Sequence, residues 1–141
     1  MPYSLDVFDS AQPLDTDEGL VLGGETRAIK ARAFGAKSVI TGNITVDKDS
    51  NGLTYKHTEA TARNVSLPSA AIASPTFREG GSFKILNLAG AGTISIIKNG
   101  TFTLERVGAG AVTSITLAAG GWAECIYVDT DHWAVIGSGL S

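Results

Sequence analysis

The last third of the chain, residues 81–141, alternates short apolar runs with turns rich in glycine or aspartate. Within it, β-branched and aromatic residues lie on both sides of Asp129-Thr130-Asp131. Such side chains suit a pleated, half-buried surface, and aspartate oxygens cap tight turns. The pattern predicts a C-terminal β-hairpin that turns at residues 129–131, with Trp122 and Trp133 filling much of the core.

Two further hairpins are predicted where strand-like runs flank a glycine turn. The runs are 83–88 and 93–97 around Ala89-Gly90-Ala91-Gly92, and 101–104 and 113–117 around Gly108-Ala109-Gly110. Glycine supplies the positive φ angles that such turns require. Gly-Ala-Gly occurs twice, but two copies are too few to indicate a solenoid.

The middle of the chain also predicts short strands. From Ser38 to Val46 apolar and polar residues alternate, a polar turn follows at residues 47–52, and strand-like runs occupy 53–57 and 63–68. Short, regularly spaced strands with glycine turns indicate an all-β domain, a single jelly-roll-like β-sandwich. A length of 141 residues fits one such domain.

The N-terminal part differs in composition. Residues 1–24 contain five acidic residues and no Lys or Arg, yet they are too apolar for a solvated tail. They predict an extended arm that packs on this domain or on a neighbouring subunit. Good helix formers at 25–34, followed by Gly35, predict one short helix at the start of the 25–141 domain. The candidate partner-contact residues are Phe8, Leu14, Leu20, Val21, Leu22, Arg27 and Lys30.

Charge and hydropathy exclude several classes of protein. A net charge of −3 argues against a nucleic-acid partner, which needs a concentrated basic face. No apolar run approaches the roughly 18 residues of a membrane-spanning helix, and the first residues lack the pattern of a signal peptide. We therefore expect a soluble protein that is made in the cytoplasm, with no membrane partner. The single cysteine excludes an internal disulfide.

Three sequence features are candidate chemical sites. Residues 47–52 match the first half of an EF-hand calcium loop, but the twelfth position is Thr58 instead of glutamate, so a polar turn is the better interpretation. Asp129, Asp131 and His132 fit a turn better than a ligand set, because no second histidine lies at metal-site spacing. Cys125 lies in an apolar strand and is expected to be a small buried hydrophobe. The sequence thus predicts no enzyme activity, no metal and no cofactor.

Several of these segments, in this order, resemble a family of β-modules. They are residues 64–71, 81–87, 90–96, 114–120 and 127–137, which look like the β-module of tailed-bacteriophage virion proteins, including tail fibres and capsid decoration proteins. The segment from Pro13 to Lys30 resembles a P-x-D … G-x-E-x-R-x-x-K pattern near the start of phage tail proteins. No fibre shaft follows the module, which favours a small stand-alone virion component.

The resemblance implies a capsid cement or decoration protein on the virion surface. Such a protein binds the outside of the assembled head, bridges major capsid protein subunits and stabilises the lattice by mass action. We expect it to form a homodimer or homotrimer. The alternative is a small tail-associated or tail-fibre adaptor protein, and a carbohydrate-binding module is a third, more distant possibility.

Overall fold

The computed structural model describes residues 37–71 and 77–141. In this part of the chain there are ten strands and a single turn of 3-10 helix at Lys48–Ser50. The strands are β1 (Lys37–Ile40), β2 (Ile44–Thr45), β3 (Thr54–His57), β4 (Arg63–Pro68), β5 (Ser82–Asn87), β6 (Ile94–Asn99), β7 (Thr103–Arg106), β8 (Gly110–Val112), β9 (Ser114–Asp129) and β10 (His132–Leu140). The predicted all-β class is confirmed. The predicted arm at 1–24 and helix at 25–34 lie outside the described residues.

The first six strands stack in two parallel columns. β1, β3 and β5 pair in parallel in one column, and β2, β4 and β6 pair in parallel in the other. Because the chain alternates between the columns, each pair of consecutive strands makes one coil, and three coils form a short β-solenoid.

The jelly-roll-like arrangement expected from the sequence is therefore wrong, since a jelly roll is built from antiparallel strands. The coils differ in length, which hides the repeat. Lys37 lies opposite Thr54, but Thr54 lies opposite Lys84, nearly twice as far along the chain. A sequence without a fixed period gives no solenoid signal.

The long strand β9 joins the two columns. Its first part pairs antiparallel with β6 and its second part pairs antiparallel with β5. β10 then pairs antiparallel with β9 and parallel with β7, and β7 pairs with β8. The C-terminal hairpin is confirmed, with Asp131 at a φ of 57° in the turn and its N–H donating to the Tyr127 hydroxyl at 3.1 Å.

Of the other two predicted hairpins, the structure contains one and lacks one among its described residues. β5 and β6 do not pair with each other, because Leu88–Thr93 is a corner between the two columns, so that prediction is wrong. β7 and β8 do form a hairpin, with Leu104 opposite Val112. The run from residue 114 belongs instead to β9, where Ile115 lies opposite Ile96 of β6.

The core lies between the inward faces of the two columns. Its largest fully buried side chains are Trp133, Phe83, Ile40, Leu67, Ile85, Ile94, Ile96, Leu104, Ile115, Leu117, His57 and Val46. The indole N–H of Trp133 donates to the Pro68 carbonyl at 2.9 Å, which satisfies its one polar atom. Burial of Trp133 is confirmed.

Two polar side chains are fully buried within this core. The His57 Nδ1 atom lies 2.8 Å from Asn87 Oδ1, and the Asn87 amide nitrogen donates to the carbonyls of Gly92 and Leu117. Since Asn87 Oδ1 can only accept, His57 Nδ1 donates. Asn87 therefore ties β5 to the following corner and to β9.

Candidate protein-interaction face

The outward side of the column containing β1, β3 and β5 continues onto β9 and β10, and we call it the outer face. Residues opposite one another in neighbouring strands point to the same side of a sheet. Val39 lies opposite Lys56, Lys56 opposite Leu86, and Leu86 opposite Trp122. These four residues of β1, β3, β5 and β9 therefore form one continuous row across the outer face.

Large apolar side chains are exposed along this row. Val39 is 50% exposed, Leu86 39% and Trp122 41%, and Ile136 of β10, one row away, is 43% exposed. We call these four residues the apolar row. Leu86 and Trp122 lie directly opposite each other, and exposed apolar surface of this kind marks protein-interaction sites. Parallel strands are also usually covered on both faces, whereas the part of the chain that the structure describes leaves this side of the sheet uncovered.

Lysines are interleaved with the apolar row: Lys56 lies between Val39 and Leu86, and Lys37 and Lys84 lie in the neighbouring row, which ends at Glu124 and Ile136. The outward positions of β1, β3 and β5 hold Lys37, Lys56 and Lys84 and no acidic residue. Within residues 37–71 and 77–141 none of the three takes part in an ion pair. Glu124 of β9 lies opposite Lys84, and its Oε1 atom accepts a hydrogen bond from the Ser82 hydroxyl at 2.9 Å.

The outer face thus combines an aromatic anchor, aliphatic neighbours and positive charge. Interfaces concentrate binding energy in buried aromatic side chains, and charged neighbours raise the association rate and select the partner. The chain has a net charge of −3, so the basic character of this side of the sheet is local. A partner that fits it has apolar side chains next to carboxylates.

The acidic turn at residues 47–52 serves a structural role. Asp47 caps the 3-10 turn, since its Oδ1 accepts from the Asp49 N–H at 2.9 Å, and the Asp47 N–H donates to the Ser50 hydroxyl at 3.3 Å. The turn connects β2 to β3 across the two columns. In the described ranges no group of three or more His, Cys, Asp or Glu side chains is arranged to hold a metal ion.

The Asp129–His132 segment is a turn, as predicted. Asp131 Oδ1 accepts from the Ala70 N–H at 2.7 Å, which anchors the turn to the end of β4. His132 Nε2 lies 3.1 Å from Glu105 Oε2 of β7. The second histidine, His57, is buried in the core with Asn87, so the structure does not bring the two histidines together as a site.

Cys125 is fully buried in β9, as expected of a small hydrophobe. Burial raises the pKa of its thiol, and the neighbouring Glu124 carboxylate raises it further. A thiol held in its protonated form is a poor nucleophile. The side chain therefore contributes packing volume to the core.

The residues predicted to contact a partner, Phe8, Leu14, Leu20, Val21, Leu22, Arg27 and Lys30, all lie outside the described residues. The apolar row was missed by sequence reasoning, and the assignment of Trp122 to the core is wrong. One signal was present: residues 125–128 are all apolar, so both faces of β9 had to carry apolar side chains. Alternation alone does not reveal which face is covered.

No family model, no curated protein and no solved structure matches this chain. Among the residues that the structure describes, no helix has the length and apolarity needed to cross a membrane.

Proposed function

We propose that this chain is a structural protein of a tailed-bacteriophage virion, a capsid decoration protein that binds the outside of the head and bridges major capsid protein subunits. The observation that supports this proposal is the apolar row on the outer face. A protein that works by joining neighbours in a lattice needs an open, apolar contact surface of this kind.

The resemblance to phage β-modules is the second source of support. Its segments fall on β4, β5, β6, β9 and the β9–β10 hairpin. These strands include both sides of the core and three strands of the outer face, β5, β9 and β10. The segments that resemble the family therefore lie in the strands that form the core and the outer face.

Decoration stabilises a capsid through linkage. A protein that binds the assembled lattice but not free subunits lowers the free energy of the assembled state. Many copies on a repeating surface add avidity, because each bound copy places its neighbours at a high effective concentration. Modest single contacts at the apolar row are sufficient under these conditions.

Copy number in purified particles of the encoding phage tests the proposal. A decoration protein is present on the order of hundreds of copies per head, whereas a tail protein is present in roughly six to eighteen, following tail symmetry. Quantitative mass spectrometry against the major capsid protein measures the ratio. A tail-like ratio replaces the capsid proposal with the tail-adaptor alternative, and absence from the particle overturns both.

A matched pair of variants connects this function to the outer face. Leu86→Lys places a charge in the apolar row, and Ser114→Lys places the same charge at an exposed position of β9 beside β6 in the other column. We expect particles stripped of the protein to rebind the Ser114→Lys variant normally and the Leu86→Lys variant weakly. Equal rebinding of both folded variants contradicts a role for the outer face.

A further inference from the structure

We infer that the outer face binds the acidic segment 1–24 of a neighbouring copy of this chain. The inference rests on the proposed function in one respect, because a repeated virion lattice holds copies side by side. In this contact, segment 1–24 covers the apolar row and the three lysines of the outer face. The charges and apolar groups of the face match those of the segment.

The charges of the two surfaces are complementary. Lys37, Lys56 and Lys84 lie on three adjacent strands, which are about 4.8 Å apart in a sheet. Segment 1–24 contains five acidic residues and no basic one, and three of them, Asp15, Asp17 and Glu18, fall within four positions. Opposite charges at this density steer a segment to the face and fix its register.

The apolar groups are complementary as well. The segment has Leu20, Val21 and Leu22 one residue after its acidic cluster. On the outer face, Lys56 lies between Val39 and Leu86 in a row that continues to Trp122, and Lys37 and Lys84 lie in the next row with Glu124 and Ile136. Charged and apolar side chains therefore lie side by side on both partners, and Glu124 is the one carboxylate in these two rows.

Chain length permits the contact. The outer face from β1 to β10 crosses four strand spacings, about 19 Å. A segment of 24 residues reaches up to about 80 Å when fully extended. One segment therefore has the length to cross the face of an adjacent copy.

A face-to-face dimer of two outer faces fits less well. In a two-fold contact the same patch meets itself, so the three lysines of one copy face a surface that carries the same positive net charge. Two surfaces of like charge repel each other. A head-to-tail contact, in which one copy gives its acidic segment and receives another, avoids this repulsion and propagates around a lattice.

Charge reversal and mixing test the inference with the full-length chain. Variant A changes Asp15, Asp17 and Glu18 to Lys, and variant B changes Lys37, Lys56 and Lys84 to Glu. We expect the wild type to self-associate in sedimentation velocity and each variant alone to associate about a hundredfold more weakly, because like charges then meet. An equimolar mixture of A and B restores association, since each segment then finds an oppositely charged face.

Controls separate this result from a loss of fold and from a general effect of the changed net charge. Each variant must keep the wild-type unfolding transition. A chain with Lys48→Glu and Lys98→Glu, which lie away from the outer face in the 3-10 turn and in β6, must associate as the wild type does. If variant B does not fold, a synthetic peptide of residues 2–24 in excess dissociates wild-type assemblies, and the same peptide with the three Lys substitutions does not.

The inference is overturned if the wild type stays monomeric, if the A and B mixture remains as weakly associated as its components, or if the peptide fails to compete. These outcomes are independent of the copy-number measurement. If the head carries hundreds of copies but mixing A and B does not restore association, the proposed function stands and the inference is wrong. If mixing restores association but the protein is absent from the virion, the inference stands and the proposed function is wrong.

Discussion

Trp133 packs against three other aromatic rings at the centre of the core. Its ring centroid lies 5.0 Å from that of Phe77, 5.1 Å from Tyr127 and 6.0 Å from Phe83. Trp122, eleven positions earlier in the sequence, lies on the outer face. The two tryptophans look alike in the sequence, yet one fills the core and the other is available to a partner.

The pair gives a direct test of this difference. We expect Trp133→Ala to lower the free energy of unfolding by about 3–5 kcal/mol, because it removes a large buried aromatic side chain and leaves a cavity. Trp122→Ala serves as the matched control and should cost about 1 kcal/mol. Denaturant unfolding at low protein concentration measures both, and similar losses would contradict the assignment of the two faces.

Cys125 predicts how stability responds to alkaline pH. Burial raises the pKa of the folded thiol above its ordinary value of 9.0, so the folded state holds the proton more tightly than the unfolded chain. The contribution of the Cys125 thiol to stability is complete below about pH 9. It falls as the pH rises toward the pKa of the folded state, because the thiol of the unfolded chain then loses its proton first. From about pH 7.5 to 9.5 we expect a loss of about 0.8 kcal/mol from this group.

Cys125→Ala is the comparison for that measurement. The variant is expected to be less stable near neutral pH, because it loses buried volume, but its stability should fall less between the two pH values than that of the wild type. Tyr55, whose pKa is also raised, mainly by burial, acts in the same direction at higher pH in both proteins. Equal losses in the two proteins would show that the thiol does not contribute.

At the scale of elements, the corners of the coils are as important as the strands. Gly92 lies where the corner after β5 meets the corner after β3. Its N–H donates to the Glu59 carbonyl at 2.8 Å, and a Cβ atom there would lie 2.5 Å from the Ala60 carbonyl oxygen. The backbones of successive coils come this close only because the residue is glycine.

We therefore expect Gly92→Ala to destabilise the protein by about 1–3 kcal/mol, since backbone atoms cannot rotate away from the added carbon as a side chain can. Gly42→Ala is the control, because a Cβ at Gly42 meets no atom within 4 Å. Its effect should stay within about 0.5 kcal/mol. Thermal or chemical unfolding of both variants measures the difference, and an unchanged Gly92 variant would contradict the close approach of the corners.

At the scale of the whole molecule, β9 is the strand that connects the two columns by backbone hydrogen bonds. It pairs with β6 in one column and lies between β5 and β10 in the other. We expect its amides, such as those of Ala123 and Cys125, to exchange with solvent most slowly among the described residues. Those of β1 and β8, at the ends of the sheet path, should exchange sooner. Hydrogen exchange followed by mass spectrometry tests this order, and early exchange in β9 would contradict its joining role.

The sequence by itself determined the features that depend on neighbouring residues. The all-β class, the β9–β10 hairpin, the β7–β8 turn and the burial of Cys125 follow from apolar alternation, from turn residues and from the low polarity of the strands. These signals are local, because strand propensity and turn geometry are set within a few positions of the chain.

Only the tertiary structure decided which strands pair and which face stays open. Sheet hydrogen bonds join backbone groups that every residue shares, so a strand's sequence does not specify a parallel or an antiparallel partner. The two parallel columns come from corners of unequal length that carry no periodic signal. The register of β9 against β5 then places Trp122 opposite Leu86 on the outer face, while Trp133 of β10 points into the core.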